Sequence, residues 1–195
     1  MSLYKTFMER RLWLWFGIAL LVLTLDQISK SWIVNTFQDD QGRATMYATK
    51  DVTSFFQITR RHNCGVAFSL GAQSEYADCR DVGMQRWVLS GFVLIVSLGL
   101  IFWISRLSRE RQLEALGLGL ILGGALGNLW DRASLGFVVD FIVVHHESWP
   151  WPEFPAFNIA DSAITCGAGV LILDMFVNRK AHDGSKEHQT GSGKK

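Results

Sequence analysis

An all-α membrane protein with four transmembrane helices is the fold class this sequence predicts, and three observations predict it. The 195 residues are 49% hydrophobic and only 19% charged. Four apolar runs, near 12–34, 87–104, 113–130 and 157–177, each approach the ~20 residues that a ~30 Å hydrocarbon core requires. Cations cluster before the first run, between the second and third and after the fourth, while 35–86 balances six cations with six acids. A soluble helical bundle would rarely carry four uninterrupted runs of this length.

The elements follow in order. Residues 1–11 form a basic lead carrying Lys5, Arg10 and Arg11. The run after it is longer than a secretory h-region, lacks a small-residue cleavage site, and contains Asp26 and Lys30, so it reads as a retained span. Arg106, Arg109 and Arg111 separate the second and third runs, and Arg179 and Lys180 follow the fourth. The connection 132–156 sets one cation, Arg132, against Asp140, Glu147 and Glu153. The excess of cations therefore puts both termini in the cytoplasm, with connections 35–86 and 132–156 on the outer side. The membrane domain is expected over 12–177, and 178–195 reads as a cytoplasmic polar tail without order.

Within 35–86, Phe56-Gln57-Ile58-Thr59 alternates apolar and polar as a half-buried strand does. Asn63-Cys64-Gly65 reads as a turn and Val66-Ala67-Phe68 as a return strand. A small extracytoplasmic sheet lying on the membrane surface is expected there, followed by an irregular polar stretch over 71–82. The second run carries no charge and reads as scaffold. The third holds Gly119, Gly123 and Gly127 at four-residue spacing, with Gly117 and Gly124 beside them, a face that lets helices approach closely in lipid. The stretch 136–144, GFVVDFIVV, is too short to span and predicts a strand or re-entrant segment. Residues 149–155 hold all three prolines and cannot be regular helix; their tryptophans suit the headgroup region.

Ionisable groups at membrane depth cost about 2.5–3.5 kcal/mol each on insertion scales, so each needs a partner or a task. Asp26 and Lys30 share a helix face four residues apart, acid first, the favourable order for a pair. Asp174 reads as an interfacial carboxylate. At the outer ends of the third and fourth runs, Asn128, Asp131, Arg132, Asn158 and Asp161 fall at one membrane level, with Asp140 on the segment between. Two facing carboxylates cannot both ionise easily and share a proton. One then takes a proton from water while the other donates to a carbonyl oxygen, which is aspartyl amide hydrolysis and needs no cofactor. Other chemistries fit less well. No GxSxG, HExxH or phosphate-binding loop occurs. His145-His146-Glu147 is a poor chelate, because adjacent strand residues face opposite ways, so no metal is expected. No basic patch suits nucleic acid. Cys64 and Cys79 share the outer segment and can pair in an oxidising compartment, whereas Cys166 lies apart in the fourth run.

LDQISK at 25–30, NCGVAFS at 63–69, GGALGNLWDR at 123–132, GFVVDF at 136–141 and FNIAD at 157–161 occur in that order. Together they resemble the lipoprotein signal peptidases, the signal peptidase II family, over nearly all of 12–177. The resemblance implies a bacterial inner-membrane aspartyl endopeptidase. Such an enzyme cuts the signal peptide from diacylglyceryl-modified prolipoproteins just before the lipidated cysteine. It implies Asp140 and Asp161 as the catalytic pair and Asn63, Asn128, Arg132 and Asn158 as substrate-binding. Asp26 and Lys30 would support the site, with Asp131 an acid beside the pocket arginine. It also implies a monomer that meets membrane lipids and lipidated precursors. Cys64 stands in a slot variable in the family, and 71–83 is longer than the family suggests. A small proton-coupled carrier is the rival reading. Acids confined to one membrane level and the lack of an internal repeat speak against it.

Overall fold

The computed structural model describes residues 2–45, 48–65, 83–144 and 154–191. Its elements are α1 (Ser2–Thr36), β1 (Thr49–Thr53), β2 (Phe56–Asn63), α2 (Gly83–Arg106), α3 (Gln112–Ser134), β3 (Val138–Val144) and α4 (Ile159–Gly191). Four stretches are long and apolar enough to cross a membrane: Leu12–Thr36, Met84–Arg106, Gln112–Ser134 and Ile159–Val177. They coincide with the four runs to within a few residues at most ends. α4 continues as helix to Gly191, where sequence composition predicts an irregular tail; no proline interrupts that stretch.

The bundle is built around α3, which packs on α1, α2 and α4. Sixty-one per cent of its apolar window is buried, against 17–22% for the other three, so α3 is the interior helix and the others face outward. Glycine makes that possible. A Cβ on Gly123 would stand 2.6 Å from the Ala19 carbonyl oxygen of α1, and one on Gly117 would stand 2.8 Å from the Gly167 carbonyl oxygen of α4. Gly119, Gly123 and Gly127 thus meet α1, as their common spacing predicts, while Gly117 and Gly124 meet α4. Between the helices, Ala19, Ile104, Leu118 and Leu122 form one apolar core. At the end of the bundle away from the dyad residues, Arg111 pairs with Glu114 and reaches Asp174 at 3.5 Å, so Asp174, read from sequence as an interfacial carboxylate, is buried and ion-paired.

The sheet is antiparallel, ordered β1-β2-β3. Residues 56–59 do begin a strand, but it runs on to Asn63, and among the described residues its partners are β1 and β3. The return strand expected at 66–68, the polar stretch 71–82, His145-His146-Glu147 and most of the proline-rich stretch lie outside the described residues. A bulge between Ile58 and Arg61 shifts the register so that Arg61 faces Asp140 and Asn63 faces Val138. Two devices fasten the sheet to the bundle. Gly136, at φ +93°, turns the chain from α3 into β3, a conformation costly for residues with a Cβ. Arg60 donates to the Val34 and Phe37 carbonyls at 3.2 and 3.1 Å, placing a cation on carbonyls at the C-terminal end of α1. Ile33, Phe37, Val139 and Phe141 fill the space between.

The free edge of β3 is closed by one residue. Phe157 bridges Ile142, donating to its carbonyl at 3.0 Å and accepting from Ile142 N–H at 2.8 Å. α4 begins two residues later, so its first turn starts beside the middle of β3.

The close approach of α3 and α4 makes a prediction. Gly117→Ala should destabilise the protein by about 1–3 kcal/mol, the usual effect of overpacking. Gly99→Ala, where nothing lies within 4 Å, should leave stability unchanged or slightly raised. Thermal melts in detergent micelles distinguish the two, and equal melting temperatures would show that α3 and α4 do not need the contact.

Candidate active site

Asp140 sits mid-strand in β3, 3% exposed, and Asp161 in the first turn of α4. Both line one groove of about 420 Å³, walled by Phe92 and Val96 of α2 and Ile164 of α4 and floored by Asn128 and Arg132 of α3. The two carboxylates therefore open onto the same space, although 21 residues separate them in sequence.

Three asparagine side chains organise them. Asn158 is the cap of α4: its Oδ1 accepts from Asp161 N–H at 2.9 Å, the usual service of a residue at that position. Its Nδ2 points the other way and donates to Asp140 Oδ1 at 2.7 Å. Asn63, at the end of β2, donates to Asp140 Oδ2 at 3.0 Å. Asn128 donates to Asp161 Oδ1 at 2.8 Å. One asparagine thus spans the pair: it caps the helix bearing one acid and holds the other. Arg132 donates to the Gly65 carbonyl at 3.2 Å and forms a long 3.4 Å contact with the Asn128 carbonyl, bringing a cation to the groove without pairing directly with either acid in this arrangement.

Beneath this layer lies Lys30, 3% exposed. Its Nζ meets Asp26 at 2.7 Å, Asp131 at 2.9 Å and Asn128 Oδ1 at 3.1 Å, three acceptors for three hydrogens. Asp26 also accepts from Ala160 N–H at 2.9 Å, at the electropositive start of α4. Asp131 accepts from Val139 N–H at 3.2 Å and from Gln27 Nε2 at 2.8 Å. The Asp26–Lys30 pair expected from spacing is present. Asp131, the acid next to Arg132 in sequence, turns inward to Lys30.

Burial, and then the Asp161 charge, raise the Asp140 carboxyl to about 7. The Asn63 amide, the Lys30 charge and the Asn158 amide oppose that rise without cancelling it. At neutral pH one member of the pair can hold a proton.

All nine residues singled out from sequence fall in this one assembly. Sequence reasoning missed Gln27, the Gly65 carbonyl and the apolar wall from α2. Gln27 had a signal, standing between Asp26 and Lys30 in a polar patch of a membrane helix. The α2 residues had none, since lipid-facing and groove-facing apolar side chains look alike in sequence.

Residues 18–177 match the family model described as signal peptidase (SPase) II. The chain belongs to the signal peptidase II family. Lipoprotein signal peptidases of Teredinibacter turnerae and Cellvibrio japonicus are 47% and 44% identical to it, covering 85% and 89% of this chain and 89% and 92% of theirs. The lipoprotein signal peptidase of Pseudomonas aeruginosa PAO1 is 45% identical over 87% of this chain and 90% of its own. A solved structure described as a bacterial membrane enzyme superposes with a TM-score of 0.67 at 25% identity, covering 85% of this chain and 88% of that one. As a signal peptidase II, this chain is a protease of a multi-pass membrane type.

The Lys30 cluster carries its own test. Lys30→Met leaves Asp26 and Asp131 buried without their cation, a loss of the kind that costs about 3–5 kcal/mol. The variant should melt far below the parent in micelles or fail to accumulate. A melt within a degree or two of the parent would show that the two acids find protons or partners elsewhere.

Proposed function

We infer that this signal peptidase II removes the signal peptide from diacylglyceryl-modified prolipoproteins by aspartyl hydrolysis between Asp140 and Asp161. The observation that carries the mechanism is the pairing of two carboxylates on one groove, with one of them raised to about 7. Asp140 holds the proton. Asp161 draws a proton from water as the water oxygen attacks the scissile carbonyl carbon. Asp140 gives its proton to the carbonyl oxygen. The tetrahedral intermediate then collapses: the C–N bond breaks, the proton on Asp161 goes to the leaving amine, and Asp140 recovers its own from the intermediate's hydroxyl. The asparagine amides fix the groups whose charge changes, with no reorganisation needed at the moment of reaction, and Arg132 brings a cation to the same groove.

The groove supports this reading of the substrate. Its walls along α2 and α4 are apolar but for Thr165, and its charged and amide groups are Asn63, Asn128, Arg132, Asp140 and Asp161. A signal helix fits the apolar length, its lipid stays with the surrounding acyl chains, and the peptide bond before the lipidated cysteine reaches the carboxylates. Such docking supplies proximity without a deep aqueous cleft. The distribution of cations supports both termini in the cytoplasm of a bacterial inner membrane, with the sheet and dyad at the outer surface. The disulfide at Cys64 fits an oxidising outer compartment.

Asp140→Asn and Asp161→Asn should each slow cleavage of a purified lipidated prolipoprotein by about 10²–10⁴-fold, the range of a lost acid or base. Mass spectrometry of the modified cysteine follows it. Either variant processing at the parent rate would remove that residue from the mechanism. The pH dependence has a defined sign. Because Asp140 must donate a proton, turnover should fall as pH rises through about 7, where that proton is lost. A rate that climbs steadily through pH 8 would give the acid role to another group.

A further inference from the structure

The groove holds a polar group that the dyad chemistry leaves unused. Thr165 follows Asp161 by four residues on α4, so both face the same space, and it stands one helical turn, about 6 Å, further along the groove. Its depth is fixed by contacts on either side. A Cβ on Gly124 of α3 would meet Ile164 at 2.8 Å, and one on Gly167 would meet Ile121 of α3 at 2.8 Å. Thr165 is therefore level with residues 121–124 of α3, below Asn128 and Arg132. The other residues that α2 and α4 give the groove beyond Asp161 are apolar: Leu89, Phe92, Val93, Val96 and Ile164. Thr24, Ser105, Ser134 and Ser162 each donate to the carbonyl four residues back on their own helix, at 2.7–2.9 Å. Thr165 is exposed and makes no such bond among the described residues. Ser90 and Ser97 of α2 also lack a partner, but both are buried and neither lines the groove.

A signal peptide in this groove cannot stay helical up to the cut. The scissile carbonyl must be free to meet the dyad, and in a helix it is bonded to the N–H four residues on. Unwinding leaves backbone N–H and C=O groups that lipid cannot satisfy, so the protein must. At the dyad the asparagines and Arg132 are at hand. One turn deeper, the Thr165 hydroxyl is the polar side chain in the lining, able both to donate and to accept. An extended chain rises about 3.3 Å per residue, so one helical turn of groove spans about two substrate residues. With the amino end of the signal peptide toward the cytoplasm, those residues precede the scissile bond.

We propose that Thr165 is a substrate-binding residue: its hydroxyl donates to the backbone carbonyl two residues before that of the scissile bond, and so holds the unwound end of the signal peptide in register with Asp140 and Asp161. The proposal rests on the peptidase reading of the dyad and adds to it a contact on the signal-peptide side. A backbone carbonyl is the same in every sequence. The contact therefore tolerates varied side chains while it fixes which bond is cut.

The test uses the full chain in micelles with a synthetic lipidated precursor, cleavage being followed by mass spectrometry. Failure of the parent enzyme to cut would sink the peptidase reading itself, a result distinct from those that follow. Given cleavage, Thr165→Val removes the hydroxyl and nearly keeps the shape. It should lower kcat/KM about fivefold, the size of one neutral hydrogen bond, with an unchanged melting temperature. Thr165→Ser should recover most of the loss. Thr24→Val, whose hydroxyl is held by its own helix, should match the parent. The deciding measurement pairs Thr165→Val with a precursor in which the peptide bond at the contacted carbonyl is replaced by an ester, a weaker acceptor. The ester should cost the parent about fivefold and the variant under about twofold, because a contact already lost cannot be lost again. An ester placed two residues nearer the amino end should cost both enzymes alike. Parent-like kcat/KM in Thr165→Val, or equal penalties in the two enzymes for the ester at the contacted carbonyl, would overturn the proposal. A loss in Thr24→Val as large as that in Thr165→Val would do so by making the effect general to lipid-facing hydroxyls. A lowered melting temperature in Thr165→Val would do so by making the hydroxyl a prop of the fold.

Discussion

The Lys30 ammonium has three hydrogens, and it gives them to Asp26 on its own helix and to Asp131 and Asn128 on α3. Each acceptor then reaches a different element: Asp26 the start of α4, Asp131 the backbone of β3, Asn128 the carboxylate of Asp161. One buried cation thus fixes α1, α3, α4 and β3 relative to each other within hydrogen-bond distance. Burying such ions costs several kcal/mol apiece before their attraction offsets it, so apolar packing would serve stability as well. Apolar packing has no direction, however. A site that must hold two carboxylates on one groove needs bonds that work at only one distance and angle, and the Lys30 cluster supplies them.

The glycines of α3 are the second half of the same constraint. Gly127 leaves room for Asp26, whose Oδ2 would stand 2.6 Å from a Cβ there. The ion cluster can be dry because the helices approach closely, and they approach closely because α3 lacks side chains on two faces. Packing and polarity are therefore coupled. The gap that glycine opens is filled by a carboxylate, and that carboxylate is neutralised by the lysine one turn along α1. The sheet completes the enclosure. β3 lies between β2 and the Phe157 bridge, so Asn63 and Asn158 approach Asp140 from opposite edges of one strand.

How much of this the sequence showed depends on what each residue does. The spans were legible because length and apolarity are local properties that lipid demands directly. Asp140 and Asp161 were legible because a carboxylate at membrane depth is too costly to be incidental, and Asp26 with Lys30 because four residues make one helix turn. The inward turn of Asp131 was not, since its partner is about a hundred residues away and Arg132 is its neighbour in sequence. β1 was missed because Thr49–Thr53 is fully exposed and shows no burial period; only its pairing with β2 makes it a strand. The role of Phe157 was equally hidden. A single residue bridging an edge leaves no pattern, yet it delivers α4 to β3.

The choice of neutral amides around the dyad follows from the chemistry asked of it. A carboxylate can be fixed by a lysine or arginine in direct contact, as Lys30 fixes Asp26 and Asp131, but a full charge so close favours the ionised form of its partner. A pair that must carry one proton near neutrality cannot be fixed that way. Asn63, Asn128 and Asn158 orient both acids while exerting only the modest pull of a neutral donor, so burial and the neighbouring charge still dominate at Asp140. The two cations stand one layer back, Lys30 behind Asn128 and Arg132 on backbone carbonyls. The asparagines thus separate the layer that needs fixed charge from the layer that needs a mobile proton, and the fold keeps both within one helix turn of each other.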